Sequence, residues 1–335
     1  MNKTIQGIRA VGMLTIFLFH ASILPNAQFP VTFFFMASGF GLYLSRCEKT
    51  QQELSWKNNL LWVKNKFRYF YAVHLLLFLV SLPIRWNEMK ILPHPVLRAV
   101  LHLTLLQSWT PWLSYGFNSV SWYLSSLLFV YLAAFWLVRR VRACRHCGAW
   151  TAVLIGAQLL LTGVYARVGF PLGQEPYYSP LYRVLELATG MFAARYLGGS
   201  QGKKAEGTAM ELLSLLLVAL PYLFLARRSN GLLPGVYALG FLAVICVYGR
   251  QKGVLSRLLC LRPVQWLAGF GFEFYMVHEL LIVQIRHWMG PLNWPWRVLA
   301  PVSALLALGA ALAFAWACQK WLKPRFAPKK QLQTV

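Results

Sequence analysis

The chain has 335 residues, of which 58% are hydrophobic and only 13% charged, with a mean hydropathy of +0.51; a soluble domain carries roughly 25% charged residues, so lipid is the principal solvent. All nine acidic residues are Glu, and the formal charge of +24 sits in short Lys/Arg clusters between apolar runs, the pattern of loops facing anionic lipid and not of a nucleic-acid partner. The six cysteines lie in apolar runs or basic loops and give no sign of a secreted disulfide framework.

A spanning helix needs about 20 mostly apolar residues. The predicted spans are 8–24, 31–46, 67–84, 120–138, 149–166, 181–197, 209–226, 231–249, 264–286 and 298–318. The first follows a short basic start, but no small-x-small cleavage site leads into a soluble chain, so it is read as a retained helix. It carries Arg9 and His20, and an ionisable group inside a span costs about 2.5–3.5 kcal/mol on insertion scales and marks function by default. At about 100° per residue both side chains share one helix face, roughly 16 Å apart along the axis. Either residue alone also reads as a topology anchor or a packing histidine; their pairing and depth favour function. In the second span Ser38 and Gly39, within Met36–Phe40, permit close helix approach or passage of a thin chain.

Lys64, Lys66 and Arg68 precede or open the third span. Arg68 with Tyr69 is predicted to hold a phosphorylated ligand, because the guanidinium fork matches phosphate geometry; the same cluster also satisfies the positive-inside signal. The run 96–109 is short and contains Arg98 and His102. Loop charge decides its status. If it does not cross, the loops divide into an inner set with 23 Lys and Arg and an outer set with 8. That asymmetry predicts ten crossings with both termini in the cytoplasm. Cys144-Arg-His-Cys147 has zinc-like spacing but no second ligand pair and a crowd of arginines, so no metal site is expected.

Following each predicted span from its entry side gives depths. His278 and Glu279 lie roughly 21 Å in, level with His20. Glu186 falls in the same outer third, with Arg183 near the outer mouth and Trp122 and Tyr123 at the outer end of their span. Their common depth predicts a shared cavity. The fold class expected is thus an all-α integral membrane bundle of about ten helices, 1–320, with a basic cytoplasmic tail at 321–335 serving as a membrane-surface anchor. No fused hydrolase-like or binding module is expected at either end.

Four stretches resemble the acyltransferase 3 family of membrane acyltransferases. They are Gly7-Ile-Arg9 through Leu18-Phe-His20-Ala21, Phe33-Phe-Phe-Met-Ala-Ser38-Gly39-Phe, Ser121-Trp122-Tyr123-Leu-Ser, and Phe274-Tyr275-Met-Val-His278. They occur in the family's order across almost the whole chain. The resemblance implies a ten-helix domain of the bacterial inner membrane that uses cytoplasmic acyl-CoA, usually acetyl-CoA. It implies as acceptor a hydroxyl of a sugar in a surface glycan or glycolipid, with Arg9 and His20 as functional residues. Many members carry an acidic residue shortly after the Trp helix start, where this chain reads Ser125-Ser126-Leu127-Leu128. That departure places it nearer the stand-alone members.

On this reading Arg9, Arg68, Tyr69 and Ser38 form the donor side, and His20 is the general base. Glu279 or Glu186 orients its imidazole as the acid of a triad does. Trp122, Tyr123, Arg183 and His278 belong to the acceptor side. A covalent acyl-histidine route stays open beside direct transfer. The rival class is a transporter or flippase for a sugar or lipid-linked glycan, disfavoured by the lack of an inverted repeat; a scaffold role leaves the buried ionisable groups unexplained.

Overall fold

The computed structural model describes residues 2–27, 29–50, 52–110, 113, 116–168, 176–199, 207–225, 234–250 and 253–327. Among these, every regular element is helical, as lipid requires of a chain that must satisfy its own backbone hydrogen bonds. In chain order the helices are α1 (Lys3–His20), α2 (Pro30–Arg46), α3 (Trp56–Met89), α4 (Pro95–Leu103), α5 (Trp122–Ala143), α6 (Cys147–Val168) and α7 (Pro180–Gly199). They continue as α8 (Thr208–Leu225), α9 (Pro234–Tyr248), α10 (Val254–Leu259), α11 (Arg262–Gly269), α12 (Gly271–Met289), α13 (Trp296–Ala317) and α14 (Lys323–Phe326). A π-helical turn, Cys318–Leu322, joins the last two. Of the basic tail, positions 328–335 lie outside the described residues.

Among the described residues five helical stretches are long and apolar enough to cross a membrane: Trp56–Met89, Ser119–Ala143, Cys147–Val168, Thr208–Leu225 and Trp296–Phe326. A sixth is added when the bent pair α11 and α12 counts as one. Four other segments predicted to span, now α1, α2, α7 and α9, are shorter or carry charges; the apolar α9 falls short in length alone, and for α1, α2 and α7 the packing gives the reason. Almost every residue of α2 is buried, and it packs on α7 and α9, while α6, α8 and α13 turn leucine-rich faces outward. A helix enclosed by other helices meets protein rather than lipid, so nothing demands that it be uniformly apolar.

Two boundaries differ from the sequence expectation. The predicted span 67–84 lies inside a 34-residue helix that starts at Trp56 and runs through Pro83 to Met89. Ser55 caps its start by accepting from the Asn58 amide at 3.3 Å. The predicted span 264–286 is broken at Phe270, where α11 and α12 meet at 70°. The run 96–109 forms only the nine-residue α4 and a 3-10 turn at Gln107–Trp109, less than half the length needed to cross a bilayer.

The tightest helix contact joins α2 and α7. A Cβ built on Gly39 would stand 1.9 Å from the Leu187 carbonyl oxygen, and one on Gly190 1.8 Å from that of Met36. Only hydrogen fits there, so the small residues predicted to allow close approach do so.

At the end of the bundle where α1 begins, here the near end, short helices clasp its first turn. Asn2 caps α1 by accepting from the Ile5 amide at 3.1 Å, and its own amide donates to the Gly249 carbonyl at 2.7 Å. Gln265 on α11 donates to the Lys3 carbonyl at 2.9 Å. The start of α10 is in turn fixed by the buried Glu211 of α8, which accepts from the backbone amides of Gly253, Leu255 and Ser256. At the opposite, far end, Arg286 of α12 donates to the Ala21 carbonyl at 2.6 Å and lies over the Trp296 ring. That contact pins the turn immediately after His20.

Candidate active site

Two adjoining cavities open at the near end. The first, about 240 Å³, is lined by Gln6, Arg9, Ser38, Lys66, Tyr123 and Tyr275 among others. The second, about 530 Å³, shares Gln6, Arg9, Ser38 and Lys66. Arg9 extends from α1 and donates to the Ser38 hydroxyl at 3.0 Å, while that hydroxyl donates to the Phe34 carbonyl at 2.7 Å. Ser38 therefore offers only a lone pair to the guanidinium and holds it in place. Arg9 Nε and the Gln6 side-chain nitrogen are buried and make no hydrogen bond. With Lys66 beside them and no carboxylate among the described lining residues, the mouth is built for an anionic ligand that also presents hydrogen-bond acceptors.

The inner wall of the first cavity is aromatic and leads along α12 towards the far end. Tyr123 and Tyr275 have ring centroids 5.1 Å apart, Tyr275 and His278 5.6 Å, and His278 and His20 5.0 Å with the two imidazoles edge-to-face. On α12 Phe274 and Tyr275 stand four and three residues before His278, so each ring meets the imidazole along the helix, and Phe17 of α1 packs on both Phe274 and His278. His278 Nδ1 lies 2.6 Å from the Tyr275 carbonyl, an acceptor only, so this nitrogen carries the proton. Nε2 is consequently the lone-pair nitrogen, and it is buried with no partner. His20 ends α1 and is partly exposed.

The structure separates the other expected residues into different groups. Arg9, Ser38 and Tyr123 line the first near-end cavity, so Tyr123, expected with the acceptor-side residues, stands beside those expected on the donor side. Arg68 is exposed and absent from the cavity walls, where Lys66 stands instead. Tyr69 is buried and donates its hydroxyl to Glu273. Glu186 does not reach His20: both its oxygens accept from Arg183 at 2.6 Å, and both side chains are fully enclosed. Arg183 also donates to the Tyr177 carbonyl and sits among the rings of Phe35, Trp122, Tyr177 and Tyr182. The physical reason is desolvation: a buried Arg with a carboxylate three residues away on its own helix pairs with it first. Arg183, Glu186 and Trp122 are a packed ionic core of the bundle. Glu279 lies near the histidines but is committed through Oε1 to Arg85.

Arg85 itself was not anticipated. It falls just past the predicted end of the third span, yet α3 continues through it. Its guanidinium pairs with Glu88 at 3.1 Å and with Glu279, and lies close enough to His20 to act on it electrostatically. The signal available in the sequence was Arg85 and Glu88 at helical i,i+3 spacing. Cys144 and Cys147 are free thiols, with Arg195 Nε donating to the Cys147 sulfur at 3.2 Å. Among the described residues no group of three His, Cys, Asp or Glu side chains is placed to hold a metal.

Compared with known protein families, residues 2–320 match the family model described as an acyltransferase domain. No curated protein and no solved structure matches the chain.

Proposed function

Since this chain belongs to the acyltransferase 3 family and is a multi-pass membrane acyltransferase, we propose that it moves an acyl group, acetyl in the first instance, from cytoplasmic acyl-CoA to a sugar hydroxyl of a surface glycan or glycolipid. In this reading the chain crosses the bacterial inner membrane ten times and the near end is cytoplasmic, as the excess of Lys and Arg in its loops favours. Saccharide and lipid are its partners.

The observation that carries the proposal is a near-end cavity walled by Arg9 and Lys66 whose aromatic wall adjoins, through Tyr275 and His278, the imidazole of His20. Arg9 and Lys66 hold the CoA phosphates at the mouth, with Ser38 orienting Arg9. The pantetheine arm runs outward beside α1 past Met13, Tyr123 and Tyr275, over roughly 16 Å of helix between Arg9 and His20. The thioester then lies by the imidazole pair. A sugar hydroxyl arriving from the far end gives its proton to a histidine lone pair, and its oxygen bonds to the thioester carbonyl carbon. The carbon–sulfur bond breaks, and the departing thiolate takes the proton back. His20 is the general base; His278, whose tautomer is fixed by the Tyr275 carbonyl, stands edge-on to it and shares the site. Water is kept out by Phe17, Phe274 and Tyr275, which raises the strength of every charge interaction in the chamber.

The test is titration of detergent-purified protein with acetyl-CoA, comparing wild type, Arg9→Ala and His20→Ala. Binding weakened by the first variant and spared by the second is the expected result. Absence of binding to folded wild type would remove the donor assignment.

A further inference from the structure

Around His20 the described residues contain three buried polar atoms that no partner satisfies: Arg85 Nε, Glu279 Oε2 and His278 Nε2. Two contacts tie them together: Arg85 pairs with Glu279, which directly follows His278 on α12, and the His278 ring meets that of His20. Buried polar atoms are almost always hydrogen-bonded, and a cluster of exceptions marks a place where a ligand or ordered water completes the set. The arrangement is part of no cavity described above, all of which lies at the near end.

The chemistry of the three atoms selects the ligand. Arg85 Nε–H is a donor. Glu279 Oε2 and the His278 lone pair are acceptors. One donor and two acceptors match two hydroxyl groups: each gives a proton, and one of them receives a hydrogen bond from the guanidinium. Within this group the charge balance argues the same way, since the Arg85 guanidinium already faces two carboxylates, Glu88 and Glu279. A phosphate or carboxylate entering here would meet a surplus of negative charge, whereas a neutral polyol would not.

We propose that Arg85 and Glu279 form the acceptor subsite and select a neutral vicinal diol, a feature that pyranosides present, placing one hydroxyl on Arg85 and Glu279 and its neighbour on His278 Nε2. This rests on the acyl-transfer reading. It assigns Glu279 to the acceptor rather than to the orientation of His20, and it gives Arg85 a binding role. The guanidinium reaches the site because α3 runs on through Pro83 to Met89, which carries Arg85 beyond the end predicted for that span.

The experiment compares propane-1,2-diol with propan-1-ol at equal concentration as acceptors for labelled acetyl-CoA. Wild type is set beside Arg85→Lys and Glu279→Gln, and acetyl-CoA binding is titrated in parallel. Both substitutions keep size and some polarity, so neither leaves an unpaired charge at full strength. The readout is the ratio of the two esters and not the yield, because a purely structural defect lowers both products alike. The expected wild-type ratio favours the diol by at least tenfold, falling to within threefold in each variant. Equal rates in wild type, no ester from either alcohol, or an unchanged ratio in both variants would overturn the subsite. A wild type that fails to bind acetyl-CoA at all would instead sink the acyl-transfer reading, and this subsite with it.

Discussion

Arg9 and His20 share a face of one helix but sit in unlike surroundings, and their substitution should therefore fail in different ways. Arg9 points into a cavity with no carboxylate among its described lining residues and is held by Ser38. A hydrogen bond to a charged group contributes about 1.5–3 kcal/mol, so Arg9→Ala should raise the dissociation constant of acetyl-CoA by roughly 10- to 100-fold, with turnover at saturating donor less affected. His20→Ala should leave that constant within a few-fold while lowering turnover by about 10²- to 10⁴-fold, the range for loss of a general base; equal turnover in wild type and variant would remove His20 from the chemistry. Their common face was legible because helical period alone sets it. Arg68 was misassigned for the same reason in reverse: two residues apart, Lys66 and Arg68 point about 200° away from each other, and a run of cations carries no apolar stripe to reveal which faces inward. Glu186 was over-read, although its i,i+3 spacing from Arg183 was in the sequence and announced the pair that the structure contains.

Helix by helix, hydropathy locates segments but not their ends or bends. Pro83 resembles a stop, yet α3 passes it, as membrane helices do when neighbouring groups satisfy the freed carbonyl. The apolar run 264–286 continues through a 70° corner at Phe270, because hydropathy along a window carries no record of chain direction. That corner matters to the site: Gly269 and Gly271 line the first near-end cavity, so the bend forms part of its rim. The small residues of α2 were legible as a packing signal, and the structure identifies their partner as α7. With backbone atoms under 2 Å from a Cβ at either glycine, Gly39→Ala and Gly190→Ala must each push the helices apart. Overpacking costs about 1–3 kcal/mol. A lowered melting temperature of the detergent-purified protein is expected for both, whereas Gly156→Ala and Gly163→Ala, whose Cβ positions meet nothing within 4 Å, should leave it unchanged. If all four variants melt alike, the close α2–α7 approach is not supporting the bundle.

At the scale of the whole molecule, composition established a membrane bundle, but crossing number depends on how charge is shared between the two faces. Interior helices obscure that count, since α1, α2 and α7 are shielded by their neighbours and do not need to look like lipid-facing spans. The segment around α4 is the point on which the topology turns. If it crossed, every position after it would change sides; if it lies against the bundle, the basic turn between α5 and α6 stays on the same face as the basic stretch before α3. Its nine helical residues extend only about 14 Å against a hydrocarbon core of about 30 Å. The buried Nε2 of His74 also pairs with the His102 carbonyl at 2.9 Å, tying the end of α4 to α3. The measurement is labelling of intact cells with a membrane-impermeant maleimide, after the six free cysteines are replaced and single cysteines introduced in place of Gln52, His146 or Asn293. With ten crossings, the first two positions are protected and Asn293→Cys is labelled. An eleventh crossing through α4 predicts the reverse for the last two: His146→Cys labelled and Asn293→Cys protected. That result would also move Cys144 and Cys147 to the outer face and put the start of α12, which lines the near-end cavity, on the side opposite Arg9 and Lys66, which precede α4 and keep theirs, so that the cavity could not assemble.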